Sequence, residues 1–516
     1  MKLCASLVSV LCIAATTGLY ANNIIVGNTT LVNNVPMAGT TKIQFDLSWE
    51  NSWRGININS WDAAWVFVKY RTPAGVWNHV RLENTGHVPA GGSQIDPGLL
   101  TPGSTYNVTS NPVVGVFVYR AQDGTGNFSA NGTQLSWNYG AAGINFIDIA
   151  EIQVFAVEMV YVPQGAFAAG SGGTETSAFT LTTINTASAT TAPSGTGSLG
   201  GQAGGYPTGQ TAPTTASWPN GFNAFYCMKY ELSQQGYVDF LNTLTYTQQV
   251  TRTTNAPTSA SGTGAMISGN ANRNGIDIQT PGAASSTPAV YACNLNGNGV
   301  YGEATDGSDI ACNFLSWGDL TAYLDWSGLR PMTELEFEMA CRGTLAPVAN
   351  EYPWGTTTIA GSAYTLANAG ATNEGIATNY STTLGNASYT TTDGSIDGPL
   401  RVGIFAANGS NSGRVSAGAS YYGIMELGGN LWERAVTSGN VEGRAYTGAH
   451  GNGGLAADGN PDATTWPAPT TAQGAGFRGG AWNFASNVQV SDRFNATTSE
   501  SSRISNVGGR GVRTAP

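Results

Sequence analysis

Between Lys42 and Trp49 the apolar residues fall on every second position. Ile43, Phe45, Leu47 and Trp49 share one face, the period of a half-buried strand. Short β-branched and aromatic runs follow at Ala64 to Tyr70 and Val113 to Tyr119. Turns such as Thr72-Pro73-Ala74-Gly75 and Thr101-Pro102-Gly103 separate them. Helical periodicity is hard to find before Ala156. The pattern predicts an all-β sandwich over 22–157, closed by a strand from Ile149 to Val157. Trp49, Trp53, Trp61, Trp65 and Trp77 crowd this region. Packing between sheets suits them better than a carbohydrate platform, because Trp is mostly buried.

A second strand, Glu158 to Pro163, opens a different module over 158–516. Two Thr/Ala/Gly/Pro-rich stretches, about 185–220 and 253–288, lack apolar periodicity and read as irregular insertions. Between them Phe225 to Lys229 is a strand, running into a polar helix start at Glu231 to Gln234. Trp317 to Trp326 is a further helix, with Leu320, Tyr323 and Leu324 on one face. Thr333-Glu334-Leu335-Glu336 is a capping box that starts a third, with Phe337, Ala340 and Cys341 inward.

Composition narrows the classes. A chain of 516 residues suits two or three domains. Only 10% of residues are charged, against roughly 25% in ordinary domains, yet 41% are hydrophobic, so cores form and disorder is excluded. A net charge of −11 with 21 Lys and Arg argues against nucleic acid or anionic lipid as partner, and is compatible with bound cations. Residues 1–21 read as a secretory signal: Lys2, an apolar run from Leu3 to Ala15, and a cleavage site ending at Ala21. No later run is long enough for a transmembrane segment, so a secreted or cell-surface product is expected. Cys4 and Cys12 fall within the signal. Cys227, Cys293, Cys312 and Cys341 remain, and an exported chain is expected to pair them. Cys293 and Cys312 flank one loop, which leaves Cys227 for Cys341.

Candidate chemistry is sparse. Asn294-Leu295-Asn296-Gly297-Asn298-Gly299 resembles the start of an EF-hand or dockerin calcium loop, with side-chain oxygens on Asn294, Asn296 and Asn298. Thr305 stands where the closing acid would be, with Asp306 next. His79, His87 and His450 are isolated from one another, which leaves a mononuclear iron or zinc site without ligands. Tyr421 to Arg434 joins an apolar run, the Gly428-Gly429 pair suited to a tight turn, and the oxygens of Asn430 and Glu433 beside Trp432.

The order of segments carries a resemblance. Met159 to Phe167, Tyr226 to Ser233, Arg330 to Gly343, Tyr352 to Gly355 with Asn368-Ala369, Tyr421 to Arg434, Arg478 to Trp482, and Gly511 to Arg513 are similar, in sequence order, to the motifs of the sulfatase-modifying factor family, the formylglycine-generating enzymes. The resemblance implies an α+β, C-type-lectin-like fold with long loops behind the sandwich. It also implies calcium at Asn368 with the carbonyl of Ala369 and Asp393 (Asp397 lies close), and at Asn430 with Glu433. The family's oxidases bind copper through a cysteine pair whose positions here are Phe484 and Gln489. Neither side chain supplies the thiolate Cu(I) needs, and no cysteine follows Cys341. Cys341 matches one partner of the family disulfide, but the other position is Thr514. Neither copper nor iron is expected. The expected function is non-catalytic: an extracellular binding or cell-surface assembly component with a protein or glycan partner. The alternatives are an oxidoreductase with a non-standard site, or a self-assembling extracellular structural protein.

Overall fold

The computed structural model describes residues 24–55, 58–188, 213 and 215–516. The signal at 1–21, and most of the insertion at 185–220, lie outside the described residues.

Nine strands lead the chain: β1 (Ile25–Val35), β2 (Thr40–Gly55), β3 (Ser60–Arg71), β4 (Trp77–His79), β5 (Ser93–Leu99), β6 (Val113–Arg120), β7 (Gly124–Ser129), β8 (Thr133–Asn138) and β9 (Glu151–Val162). In β2 the alternation is realised: Ile43, Phe45, Leu47 and Trp49 are buried and their neighbours partly exposed. These side chains meet Val66, Val116, Leu135 and Trp137 in one apolar core. β2 pairs antiparallel with β1, β7 and β8, and β3 pairs with β6 and β9. Trp49 and Trp65 are buried, as packing requires. Trp61, half-buried, stacks on Tyr161 with ring centroids 4.0 Å apart.

The structure departs from the sequence reading at the boundary between the two parts. The strands expected at Ile149 to Val157 and Glu158 to Pro163 are one strand, β9. It pairs with β3 from Glu151 to Val160, and from Met159 to Val162 with β12 (Phe225–Met228). Pairing on both flanks explains the run: Val154, Phe155, Met159, Val160 and Val162 are all buried, so no period-2 break marks a boundary. β12 pairs in turn with β20 (Gly511–Thr514), and β20 with β15 (Arg330–Pro331). A single sheet therefore runs β1-β2-β3-β9-β12-β20-β15 through both parts. The remaining strands form separate two-stranded sheets: β10 (Phe167–Ala169) with β11 (Thr182–Ile184), β13 (Ile276–Thr280) with β14 (Val290–Cys293), β16 (Thr365–Ala367) with β17 (Gly375–Thr378), and β18 (Glu433–Val436) with β19 (Ala475–Arg478). The stretch 253–288 is thus not wholly irregular, since it contains β13.

Helices are short. Ser233 caps α1 (Gln234–Leu241), Thr245 caps α2 (Tyr246–Arg252), Ser316 caps α3 (Trp317–Trp326) and Thr333 caps α4 (Glu334–Arg342). The Thr333 box closes reciprocally. Thr333 Oγ1 accepts from the Glu336 amide at 3.2 Å, and the Glu336 carboxylate accepts from the Thr333 amide at 3.0 Å.

Charge crosses the seam between the two parts. Lys229, just past β12, donates to Glu158 at 3.0 Å and to Asp62 at 3.3 Å, and all three are buried. Asp62 also accepts from Trp49 Nε1, Ser52 Oγ and the Trp53 amide at 2.8 to 3.0 Å. On the opposite side Arg513 of β20 donates to the Leu99 carbonyl at 2.6 Å and lies over the Trp65 ring. Removing one partner of such a buried set leaves a charge without compensation, so the seam fixes how the parts register.

The two expected disulfides are not formed. Cys227, Cys293, Cys312 and Cys341 are free and buried. Cys293 and Cys312 do share one apolar cluster, and Cys227 and Cys341 another. Burial pushes all four thiols up, Cys227 to about 12, so they pack as small apolar side chains.

Candidate functional site

Tyr421 to Arg434 threads the centre of the C-terminal part. The Met425 amide donates to the Lys229 carbonyl at 2.9 Å, which ties the segment to the strand at the seam. The chain then turns sharply. Gly429, at φ 87°, donates to the Gly479 carbonyl at 2.7 Å, and a Cβ there would come 2.4 Å from the Ser388 carbonyl oxygen. Only glycine fits that approach. Asn430 follows, also at positive φ, and Glu433 opens β18 opposite Arg478.

Three buried carboxylates gather around this turn. Glu231 accepts from the Leu431 amide at 2.9 Å and from the Asn430 amide group. Glu426 accepts from the Gly403 amide at 3.0 Å, and Glu433 is ion-paired with Arg510. One oxygen of Glu426 and one of Glu433 have no hydrogen-bond partner. Burial raises all three carboxyls. Glu426 is pushed up to about 7, and the Glu433 charge lifts Glu231 further. Arg510 is buried too, and it is the guanidinium that all three sense.

A family model for the sulfatase-modifying factor enzyme 1-like domain matches residues 149–515. The chain belongs to the sulfatase-modifying factor enzyme 1-like family. Comparison with characterised proteins finds no match. The family domain begins within two residues of β9, so the strand it opens on is the one shared with the N-terminal sheet.

Within this sulfatase-modifying factor domain, Phe484 and Gln489 contribute an aromatic ring and a neutral amide. Phe484 packs edge-on against Trp432, with ring centroids 5.1 Å apart, in a cluster with Phe477, Ala481 and Val507. Gln489 is half-buried, and its carbonyl accepts from the Asp492 amide. Each histidine bonds a main-chain group. His450 accepts from the Thr514 amide at Nε2 (3.1 Å) and is paired through Nδ1 with the Leu100 carbonyl, while burial holds it well below the usual range. His79 is bonded through Nε2 to the Val114 carbonyl and is also held down by burial. His87 Nδ1 accepts from the Ser136 amide.

The calcium positions fare unequally. Asn430 is fully engaged: Oδ1 accepts from the Leu400 amide at 2.8 Å and Nδ2 donates to Glu231. Glu433 already holds a guanidinium. That pair therefore does not fit an additional ion. Asn368 and Ala369 are exposed in a turn, whereas Asp393 is buried and accepts from the Asp397 amide at 3.1 Å. Burial pushes Asp393 up to about 6, and its second oxygen lacks a partner. In the other loop, Asn294 donates to Asp277 at 2.8 Å. Asn296 donates to Glu303, Thr305 and Asp306, and Asn298 to Glu303. The amide nitrogens of Asn296 and Asn298 thus face the acids Glu303 and Asp306, while their oxygens accept from the Asn298 and Val300 main-chain amides. Among the described residues no group of three or more His, Cys, Asp or Glu side chains is arranged to hold a metal.

Sequence reasoning missed Glu231, Glu426 and Arg510. Each is one of few charges in a chain where only 10% of residues are charged. It also missed a network beneath α4. There Arg478 bonds Glu334 and Glu338, Arg493 bonds Glu334, and Arg342 bonds Glu338 and Glu351, all buried.

Proposed function

We propose that this family member is an exported, non-catalytic component that binds an extracellular protein or glycan, or assembles at the cell surface. In this reading the C-terminal domain is a C-type-lectin-like scaffold whose Asn-, Tyr- and Trp-rich loops carry the contacts, and residues 1–21 direct export. The observation that carries it is the side chain at each oxidase position: Phe484 is spent on packing against Trp432, and Gln489 offers an amide rather than a thiolate. The buried thiols elsewhere support it, because a thiol pushed up to about 12 supplies no thiolate near neutrality. Fold membership alone does not decide activity, which belongs to the site. In this reading calcium is a structural ion of the Asn294 to Asp306 loop, where the carboxylates of Glu303 and Asp306 lie side by side and would exchange their Asn296 and Asn298 amide donors for the ion.

Metal analysis of the purified protein, with oxygen uptake measured on a cysteine-containing peptide, tests this. The expected outcome is no stoichiometric copper or iron and no uptake above buffer, together with retention on a glycan or protein array. Stoichiometric copper or iron with oxygen consumption would replace it with an oxidoreductase using other ligands. Sedimentation in calcium separates binding from self-assembly: large concentration-dependent species indicate the structural protein.

A further inference from the structure

We propose that Arg510 is a built-in counter-cation, seated in an oxygen cage of the kind a divalent ion takes, and that it makes the centre of this fold independent of calcium.

The composition of the cage carries the argument. Arg510 Nε meets Glu433 Oε1 at 2.5 Å. Nη1 reaches the Met228 and Lys229 carbonyls at 3.2 and 3.3 Å, and Nη2 reaches the Glu426 carbonyl at 3.2 Å. One carboxylate and three main-chain carbonyls are the hard oxygen donors that calcium selects, and here all four face a guanidinium. Guanidinium and ion are alternatives, because each needs the same oxygens. The planar fork spreads its donors, so the oxygens stand farther apart than the 2.3–2.6 Å bonds around a single calcium ion would set them.

A second observation concerns the side-chain oxygens around the cage that Arg510 does not bond. The Glu426 and Glu433 side chains are buried, each has one oxygen without a hydrogen-bond partner, and Glu231 adds a third carboxyl to the same centre. Carboxyl oxygens left unpaired away from water are met either by a proton or by nearby positive charge. Arg510 supplies it from the residue before β20, whose neighbours Gly511 and Val512 are held between β12 and β15. The cation is thus placed by sheet pairing, and it cannot be removed by dilution or chelation. Asn430 completes the centre by bonding Glu231 and the Leu400 amide, so it needs no ion to be satisfied.

The test uses the full chain, with thermal unfolding followed in chelator and in millimolar calcium. The wild-type midpoint is expected to show no contribution from this centre: whatever chelation does, it does equally in Glu433→Gln. Arg510→Met is expected to lose stability in chelator and to regain most of it in calcium, with one equivalent of sensitised terbium luminescence beyond that of wild type. Two outcomes overturn the proposal. One is a chelator-induced drop in wild type that disappears in Glu433→Gln. The other is a folded Arg510→Met chain that binds no more terbium than wild type and gains no more from calcium than wild type does. If Arg510→Met does not fold, equilibrium dialysis of wild type and Glu433→Gln against calcium decides. Equal uptake supports a cage filled by Arg510, and a site lost in Glu433→Gln refutes it. Calcium bound by the Asn294 to Asp306 loop appears equally in both proteins, so a failure there is distinguishable.

Discussion

The N-terminal sheet and the sulfatase-modifying factor domain are joined through one sheet but held together by different means. Around β2 the core is apolar side chain against apolar side chain, from Ile43 and Phe45 to Leu135 and Trp137. In the family domain the largest fully buried side chains include Arg330, Arg342, Arg434, Arg478, Arg493 and Arg510. The first region gains from burial in proportion to area, wherever its residues alternate. The second has few regular elements, so many main-chain carbonyls have no ladder partner, and guanidinium groups with several donors satisfy them. Arg434 shows this plainly. It bonds the carbonyls of Leu315, Glu500 and Ser502, with no carboxylate in direct contact, and burial lowers its affinity for the proton to about 9. Ordered loops are expensive in this respect, because each buried polar group must find a partner.

Breaking the contrast should cost most where charge is buried. Arg478→Met removes the partner of both Glu334 and Glu338, and is expected to lower unfolding free energy by about 5 kcal/mol, the upper end for an abandoned buried charge. Urea denaturation measures it, and a loss under about 1 kcal/mol would show that Arg493 and Arg342 compensate. Leu47→Ala in β2 is expected to cost about 3 kcal/mol, as cavity formation in an apolar core does, with little dependence on salt or pH. The smallest effect sharpens the comparison through pH. Asp309 is buried with one bare oxygen, and burial lifts its carboxyl from 3.8 to about 7, against the pull of Arg401. The folded state binds this proton more tightly, so the stability it contributes is full below about pH 4 and lost as pH rises through about 7. Asp309→Asn should therefore gain on wild type between about pH 4 and about pH 8, by a few kcal/mol at most. Parallel midpoint-against-pH curves for the two proteins would refute it.

How far the sequence could be read follows the same division. Period-2 alternation located β2, the apolar spacing of Leu320, Tyr323 and Leu324 located α3, and the Thr333 capping box located α4, because those signals lie within a few residues. The shared strand β9 was split in two, since burial on both faces erases the alternation that would have revealed one element. Helix α2 went unread although Thr245 and Gln248 form its capping box, because its buried face is the polar pair Gln249 and Arg252 rather than an apolar stripe. The motif order identified the family domain but not its centre. Glu231, Glu426, Glu433 and Arg510 come together from distant parts of the chain, and no local spacing encodes that meeting. The cysteines expected to pair are buried and unbonded. Counting thiols did not establish a bond between them.

The position of β20 bears on the time the molecule takes to form. This strand lies between β12 and β15, yet it is drawn from residues that follow nearly all of the family domain. Contacts so remote along the chain are slow to make, because a long loop must close before any pairing rewards it. Until then β12 has one open edge, while its other edge rests on β9 and, through β3, on a sheet that can already be complete. The N-terminal sheet is thus placed to act as a template, keeping a partly made domain in register until its last central strand arrives.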